Sequence, residues 1–304
     1  MLVFAASDKG GTGRSVTGCN VALRCALGGD DVSYVDFDFG SPTSGAIFGI
    51  NEAARGVTGG LHSYLVDQVA EPARLDVWSR SDRDEVRDRP RGAGQLVLFP
   101  GDVGGGEFPR TDAVVERCVN LFLRLDEEFD LSVVDLSAGR SYAVEIVLAA
   151  LRAPALASVP WRWLIFHRWT RQHIIAAAGF LYGHRGLLDN AEAWGHDHHR
   201  LQNNVRFVRT AVVDPDSEQL AGLRPAQIAW LRTTNRELAE LAVRHRLGRS
   251  STLGSVPHEP VLQWREQLLL DDDVWARQVA NQATVEAFED LAKRLTDDAS
   301  WEGL

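Results

Sequence analysis

A glycine-rich loop that directly follows an apolar run is the feature that most constrains this chain. Residues 2–6 are all apolar, and residues 7–15 read SDKGGTGRS. This order predicts a buried strand, a loop and a helix that begins near Arg14. Three glycines in four positions leave backbone N–H groups free to close around a phosphate, and the helix adds the positive end of its dipole. The sequence therefore predicts a phosphate-binding loop.

The loop departs from the general P-loop pattern G-x-x-x-x-G-K-[ST], because Asp8 stands at the first glycine and Arg14 at the lysine. It resembles instead the deviant Walker A motif K-G-G-x-G-K-[ST] of the ParA/MinD family, with Lys9 as the additional lysine. Among 32 lysines and arginines, the only lysines are Lys9 and Lys293. A lysine kept inside this loop indicates a role in binding phosphate. The arginine-rich usage is typical of a high-GC bacterial genome, and we expect an actinobacterial branch of the family.

Two further segments follow the loop in the order that the family has. Residues 32–39 predict a strand that runs into Asp36 and Asp38, and residues 130–139 predict an apolar strand that ends at Asp135. By the resemblance, Asp38 orients the attacking water and Asp135 holds Mg²⁺ through water. Either aspartate alone would be a weak signal, because strands often end in an acid, but their order strengthens the interpretation.

The resemblance also assigns the nucleotide contacts. The loop backbone would hold the phosphates, Arg14 would neutralise them, and Asp214 stands where the family has an asparagine that reads adenine. A carboxylate can accept from adenine or from the N–H edge of guanine, so we expect ATP and leave GTP open. The expected nucleotide-binding residues are Lys9, Gly10, Gly11, Thr12, Gly13, Arg14, Ser15, Val16, Asp214 and Pro257. The expected metal ligands are Ser15, Asp38 and Asp135, and the expected catalytic residues are Lys9 and Asp38.

The length of 304 residues, 45% of them hydrophobic, is enough for one large core. We therefore expect a single domain over residues 1–304. The resemblance implies an α/β fold for it, with a doubly wound, mostly parallel sheet and helices on both faces. The charged stretch 79–94 predicts an exposed loop insertion. Near the C terminus we expect helices at 225–245, 261–269 and 274–296.

The sequence shows neither a secretory signal nor an apolar run of the roughly 18 to 20 residues that span a bilayer. The acidic C-terminal tail also lacks the pattern of a membrane-targeting helix. We therefore expect a cytoplasmic protein. The net charge of −10 argues against broad binding to nucleic acid, although the arginines between residues 232 and 249 keep DNA as a weakly supported partner.

The resemblance implies a homodimer that forms with bound nucleotide, in which each Lys9 reaches the partner's phosphates. We expect a slow Mg²⁺-dependent ATPase whose nucleotide-bound form positions a protein partner or cargo. The alternative is a nucleotide-responsive scaffold that hydrolyses little or nothing, because the planar guanidinium of Arg14 would misplace the γ-phosphate. A synthetase or amidotransferase with the same loop is a third reading, for which the chain shows no additional domain or motif.

Overall fold

The computed structural model describes residues 1–217 and 220–302. It contains an eight-stranded sheet in the order β3-β4-β2-β5-β1-β6-β7-β8. Every pair of neighbouring strands is parallel except β3 and β4. The strands are β1 (Leu2–Ala6), β2 (Val32–Phe37), β3 (Leu75–Asp76), β4 (Leu96–Phe99), β5 (Leu131–Leu136), β6 (Trp161–Arg168), β7 (Val205–Val212) and β8 (Thr252–Pro257).

Helices cover both faces of this sheet. The described helices are α1 (Arg14–Leu27), α2 (Ser44–Ile47), α3 (Leu61–Leu65), α4 (Val77–Arg80), α5 (Asp112–Glu128), α6 (Tyr142–Ala150), α7 (Arg171–Tyr182), α8 (Leu187–Ala193), α9 (His198–Asn203), α10 (Pro225–Arg244), α11 (Pro260–Trp264), α12 (Asp271–Trp275) and α13 (Gln282–Thr296). Within the described part of the chain, no helix is long and apolar enough to cross a membrane.

Alternate residues of the central strand β1 belong to two separate hydrophobic clusters. Phe4 lies in the cluster that includes α5, α6 and α7, whereas Val3 and Ala5 lie in the cluster that includes α1 and α13. Successive side chains of a strand point to opposite faces, so this partition shows that both faces of the sheet are covered. The expected doubly wound α/β fold is confirmed.

The topology brings the ends of β1, β2 and β5 to one edge of the sheet. These three strands are adjacent and parallel, and Asp36 of β2 lies directly opposite Asp135 of β5. Parallel strands in such a sheet present their carboxyl ends, and the loops that follow them, at a shared edge. The loop after β1 therefore lies beside the aspartates that the sequence predicts at the ends of β2 and β5.

The C-terminal helices differ from the prediction. The helix expected over 261–269 ends at Trp264, and the one expected over 274–296 begins only at Gln282, after the short α12. The first difference follows from α1, because Asn20 hydrogen-bonds the backbone of Gln267 and of Leu269 and holds that segment extended. Periodicity along the sequence carries no signal of such long-range bonds.

The second break depends on a buried carboxylate. Glu259 accepts hydrogen bonds from the backbone and side chain of Asn281, at 2.9 and 2.6 Å, and from the Thr284 hydroxyl at 3.0 Å. These bonds fix the start of α13. Just upstream, Gln278 has a φ of 54°, which no helix accommodates.

The stretch 79–94 is exposed along most of its length but is anchored at several points. Its first two residues belong to α4, and Val86 and Ala93 are buried. The hydroxyl of Ser81 donates to the carbonyl of Phe48 at 2.9 Å. The segment is thus a surface loop that contacts the core through these residues.

Candidate functional site

The loop between β1 and α1 has the backbone of an open cradle. Gly11 and Gly13 have φ values of 69° and 75°, in the left-handed region that favours glycine. A Cβ built on Gly10 or Gly11 would meet no atom within 4 Å. The buried Thr210 of β7 holds the loop, because its hydroxyl donates to the carbonyl of Thr12 at 2.6 Å. The first turn of α1 therefore faces free space with its N–H groups available.

A cavity of about 610 Å³ opens beside this cradle. Five of the expected nucleotide-binding residues line it: Gly11, Thr12, Gly13, Val16 and Pro257. Residues that sequence reasoning missed complete the wall, among them Arg168, Thr210, Ala211, Glu259 and Trp264. Their only signal in the sequence was their position at or just after the ends of β6, β7 and β8, where a parallel sheet places its ligand.

Five expected contacts lie outside the cavity lining: Lys9, Gly10, Arg14, Ser15 and Asp214. Lys9 and Gly10 are exposed on the outer part of the loop. Asp214 is also exposed, and its carboxylate accepts from the backbone of Asp216 at 3.0 Å. Asp214 thus closes the turn after β7, and the structure does not bring it to the cavity, whose wall here is formed by Thr210 and Ala211.

A second group of site residues is buried below the loop. The Arg14 guanidinium donates from Nε to Oδ1 of Asp135, from Nη2 to Oδ2 of Asp38 at 3.0 Å, and from Nη1 to Oγ of Ser7 at 3.3 Å. The Tyr34 hydroxyl donates to the other oxygen of Asp135 at 2.8 Å. Arg14 is 6% exposed and Asp135 is 1% exposed, so their ion pair is shielded from water, whereas Asp38 is partly exposed.

The position of Arg14 differs from the expectation that it would neutralise phosphates. Its side chain does not line the cavity and instead binds the two aspartates expected to serve metal and water. The physical reason is that buried carboxylates strongly favour a charged partner, and the planar guanidinium has enough donors to reach three acceptors at once.

The charges in this network are unevenly balanced. Burial alone would lower the pKa of Arg14, but Asp135 and Asp38 outweigh it and raise the pKa above its usual value. Burial raises the pKa of Asp38, and Arg14 opposes this shift without cancelling it. Burial and then the charge of Asp135 raise the pKa of Asp36 to about 7, against hydrogen bonds from Ser44. One guanidinium does not neutralise three carboxylates, so Asp36 retains a proton up to near-neutral pH.

The expected metal ligands do not fit a divalent cation as they are arranged. Both oxygens of Asp135 accept hydrogen bonds, and the facing oxygen of Asp38 is bound to Arg14. The Ser15 side chain, half-buried at the start of α1, contributes a neutral hydroxyl. Within residues 1–217 and 220–302, no group of three or more His, Cys, Asp or Glu side chains could hold a metal ion. A guanidinium occupies the space between the carboxylates that a cation would need.

A parallel sheet with a glycine-rich loop, a following helix and aspartates at adjacent strand ends defines the P-loop nucleoside triphosphatase fold. Within that class, solved structures with the ParA/MinD fold match this chain over nearly its whole length. A chain of the MinC:MinD cell division protein complex of Aquifex aeolicus matches with a TM-score of 0.58 and 17% identity, over 97% of this chain and 94% of the other.

Two further structures agree. A putative plasmid partition protein of Borrelia burgdorferi bound to AMPPNP matches with a TM-score of 0.59 and 14% identity, over 96% of both chains. The septum site-determining protein MinD of Pyrococcus horikoshii, complexed with Mg-ADP, matches with a TM-score of 0.54 and 14% identity, over 98% of this chain and 96% of the other. At these identities the likeness establishes the fold.

Sequence comparison adds less. No family model matches the chain. An iron-sulfur cluster carrier protein of Pseudomonas fragi is 44% identical over 54 residues, which are 18% of this chain and 19% of the relative. The match thus spans about a fifth of that relative's length.

Proposed function

We propose that this chain is a nucleotide-binding protein of the ParA/MinD type that holds a purine nucleoside triphosphate in the cavity beside Gly11 and Gly13. The observation that carries the proposal is the open cradle at the N-terminus of α1, which lines a cavity of about 610 Å³. Free N–H groups and the helix dipole at such a position bind anions. Two structural neighbours are complexes with AMPPNP and with Mg-ADP, which supports nucleotide binding by a chain of this fold.

Cations near the cradle favour an anionic ligand. Arg168 lines the cavity, and Lys9 is exposed at the tip of the loop. Both lie close enough to His173 to help lower its pKa, after the larger effect of burial. With Arg14 bound to carboxylates, Arg168 is placed to meet phosphate oxygens in its own cavity, and Lys9 is placed to meet those of a second copy.

The exposure of Lys9 also supports the proposed dimer. An exposed side chain that does not line its own cavity can reach the phosphates bound by a second copy, as the resemblance to the deviant Walker A motif implies. The nucleotide-bound dimer would then present a composite surface to a protein partner or cargo. The structural neighbour from the MinC:MinD complex is described together with such a partner.

The contacts of Arg14 bear on whether the nucleotide is hydrolysed. A slow ATPase needs Asp38 free to orient water and Asp135 free to serve the metal. Both are held by a buried guanidinium. This observation favours the second candidate, a nucleotide-responsive scaffold with little or no hydrolysis.

Isothermal titration calorimetry with ATP, GTP and ADP tests the binding. Gly11→Asp should weaken binding by at least about tenfold, because the added carboxylate repels phosphate and blocks the cradle. Gly104→Asp is the matched control: Gly104 also has a left-handed φ, of 88°, and open space around it, but does not line the cavity. Absence of heat with every nucleotide, or equal loss in both variants, would refute the proposed site. Phosphate release that exceeds an Asp38→Ala control would restore the ATPase candidate.

A further inference from the structure

The Arg14 guanidinium connects the ends of three strands. It donates to Ser7 after β1, to Asp38 after β2 and to Asp135 at the end of β5. All three nitrogens are used, and the side chain is 6% exposed. A group fixed by bonds to three separate elements is part of the folded framework.

These contacts use both oxygens of Asp135 and one oxygen of Asp38 from the protein side. Asp135 accepts from Arg14 on one oxygen and from Tyr34 on the other. A divalent cation between Asp38 and Asp135 would have to displace the guanidinium or lie against it. At a separation of roughly 4 Å, a dication and a guanidinium repel each other strongly in a buried, low-dielectric site.

We propose that Arg14 takes the place of the divalent cation in this chain, so that nucleotide binds without magnesium. This inference rests on the proposed nucleotide site and states that the site does not require a divalent cation. The guanidinium supplies one permanent positive charge to Asp38 and Asp135. Phosphate is held by the loop backbone and Arg168, together with the Lys9 of a second copy, and none of these involves a metal.

Lysine at position 14 would not reproduce the arrangement. An ammonium is a compact charge with three donors, and it lacks the planar fork that spans two carboxylates and a hydroxyl. Arg14→Lys should therefore leave Asp38 and Asp135 partly unpaired and open to a cation. Arg24→Lys is the matched control, because Arg24 is also buried in α1 but bonds Leu269 and Asp271 away from the loop.

The test measures the dissociation constant of ATP for the full chain in excess MgCl₂ and in EDTA. For the unmodified chain and Arg24→Lys, the two constants should agree within about threefold, whereas Arg14→Lys should bind at least about tenfold more tightly with magnesium. An affinity of the unmodified chain that falls tenfold or more in EDTA would overturn the inference but leave the nucleotide site intact. Absence of binding in both buffers would instead refute the proposed function. Equal behaviour of Arg14→Lys and the unmodified chain would show that the guanidinium does not decide the metal requirement.

Discussion

The helix α1 carries two buried arginines with different surroundings. Arg14, in its first turn, binds Asp38 and Asp135, whose side chains are 23% and 1% exposed. Arg24, in its last turn, binds Asp271 and Glu289, whose side chains are 65% and 40% exposed, and the carbonyl of Leu269 at 2.8 Å. Arg14 is thus a counter-ion for carboxylates at the start of the helix, whereas Arg24 links the end of the helix to the backbone of Leu269. The exposure of the partners makes the difference, because hydrated carboxylates need no counter-ion.

Replacing Arg14 should produce the largest effect. Arg14→Met keeps much of the side-chain volume but leaves the buried Asp135 and the partly exposed Asp38 without a counter-ion. Because removing one partner of a buried ion pair is costly, we expect the free energy of unfolding to fall by about 3–5 kcal/mol. Urea denaturation at neutral pH measures this loss. A loss below about 1 kcal/mol would show that water or protonation compensates the carboxylates and that the two ends of α1 are alike.

The second largest effect should be a pH dependence of the free energy of unfolding that arises near Arg14 and not near Arg24. Asp36, beside the Arg14 network, has its pKa raised to about 7, while its unfolded value is near 3.8. Between these values the folded state holds a proton that the unfolded state has lost. The free energy of unfolding should therefore fall as pH rises from about 4 to about 7, by at most about 1.4 kcal/mol per pH unit.

Asp36→Asn should reduce this slope, since the side chain no longer titrates. Asp271→Asn, which removes an exposed partner of Arg24, is the control and should leave the slope unchanged. Urea midpoints at several pH values provide the measurement. Parallel curves for Asp36→Asn and the unmodified chain would contradict the charge imbalance inferred around Arg14.

Arg24→Met should have the smallest effect. Its carboxylate partners can return to water, so the cost arises mainly from the carbonyl of Leu269, and we expect a loss of about 1–2 kcal/mol. The same denaturation experiment compares it directly with Arg14→Met. If the two losses are equal, partner burial does not decide the energy of these arginines.

The sequence predicted the elements that depend on local pattern. The loop at 7–15 and the strands that lead to Asp38 and Asp135 lie where expected, because apolar runs and glycines are patterns of consecutive residues. Their order also carried the resemblance to the ParA/MinD family, and that resemblance implied the doubly wound sheet.

Features that depend on distant residues escaped prediction. The partners of Arg14 become visible only when three strand ends meet. The breaks around α11 and α12 depend on Asn20 and Glu259, which are far from the affected residues in the sequence. The position of Asp214 depends on how the chain leaves β7, where the pairing with β8 is irregular.

The tether between α1 and the segment after α11 has a mechanical consequence. Asn20 and Arg24 bind the backbone at Gln267 and Leu269, directly after residues such as Trp264 and Glu266 that wall the cavity. The first turn of the same helix forms the floor of that cavity. If α1 shifts when its N-terminus binds an anion, these hydrogen bonds would shift the segment that contains Trp264 and Glu266 as well. Anion binding would thus change the width of the cavity opening.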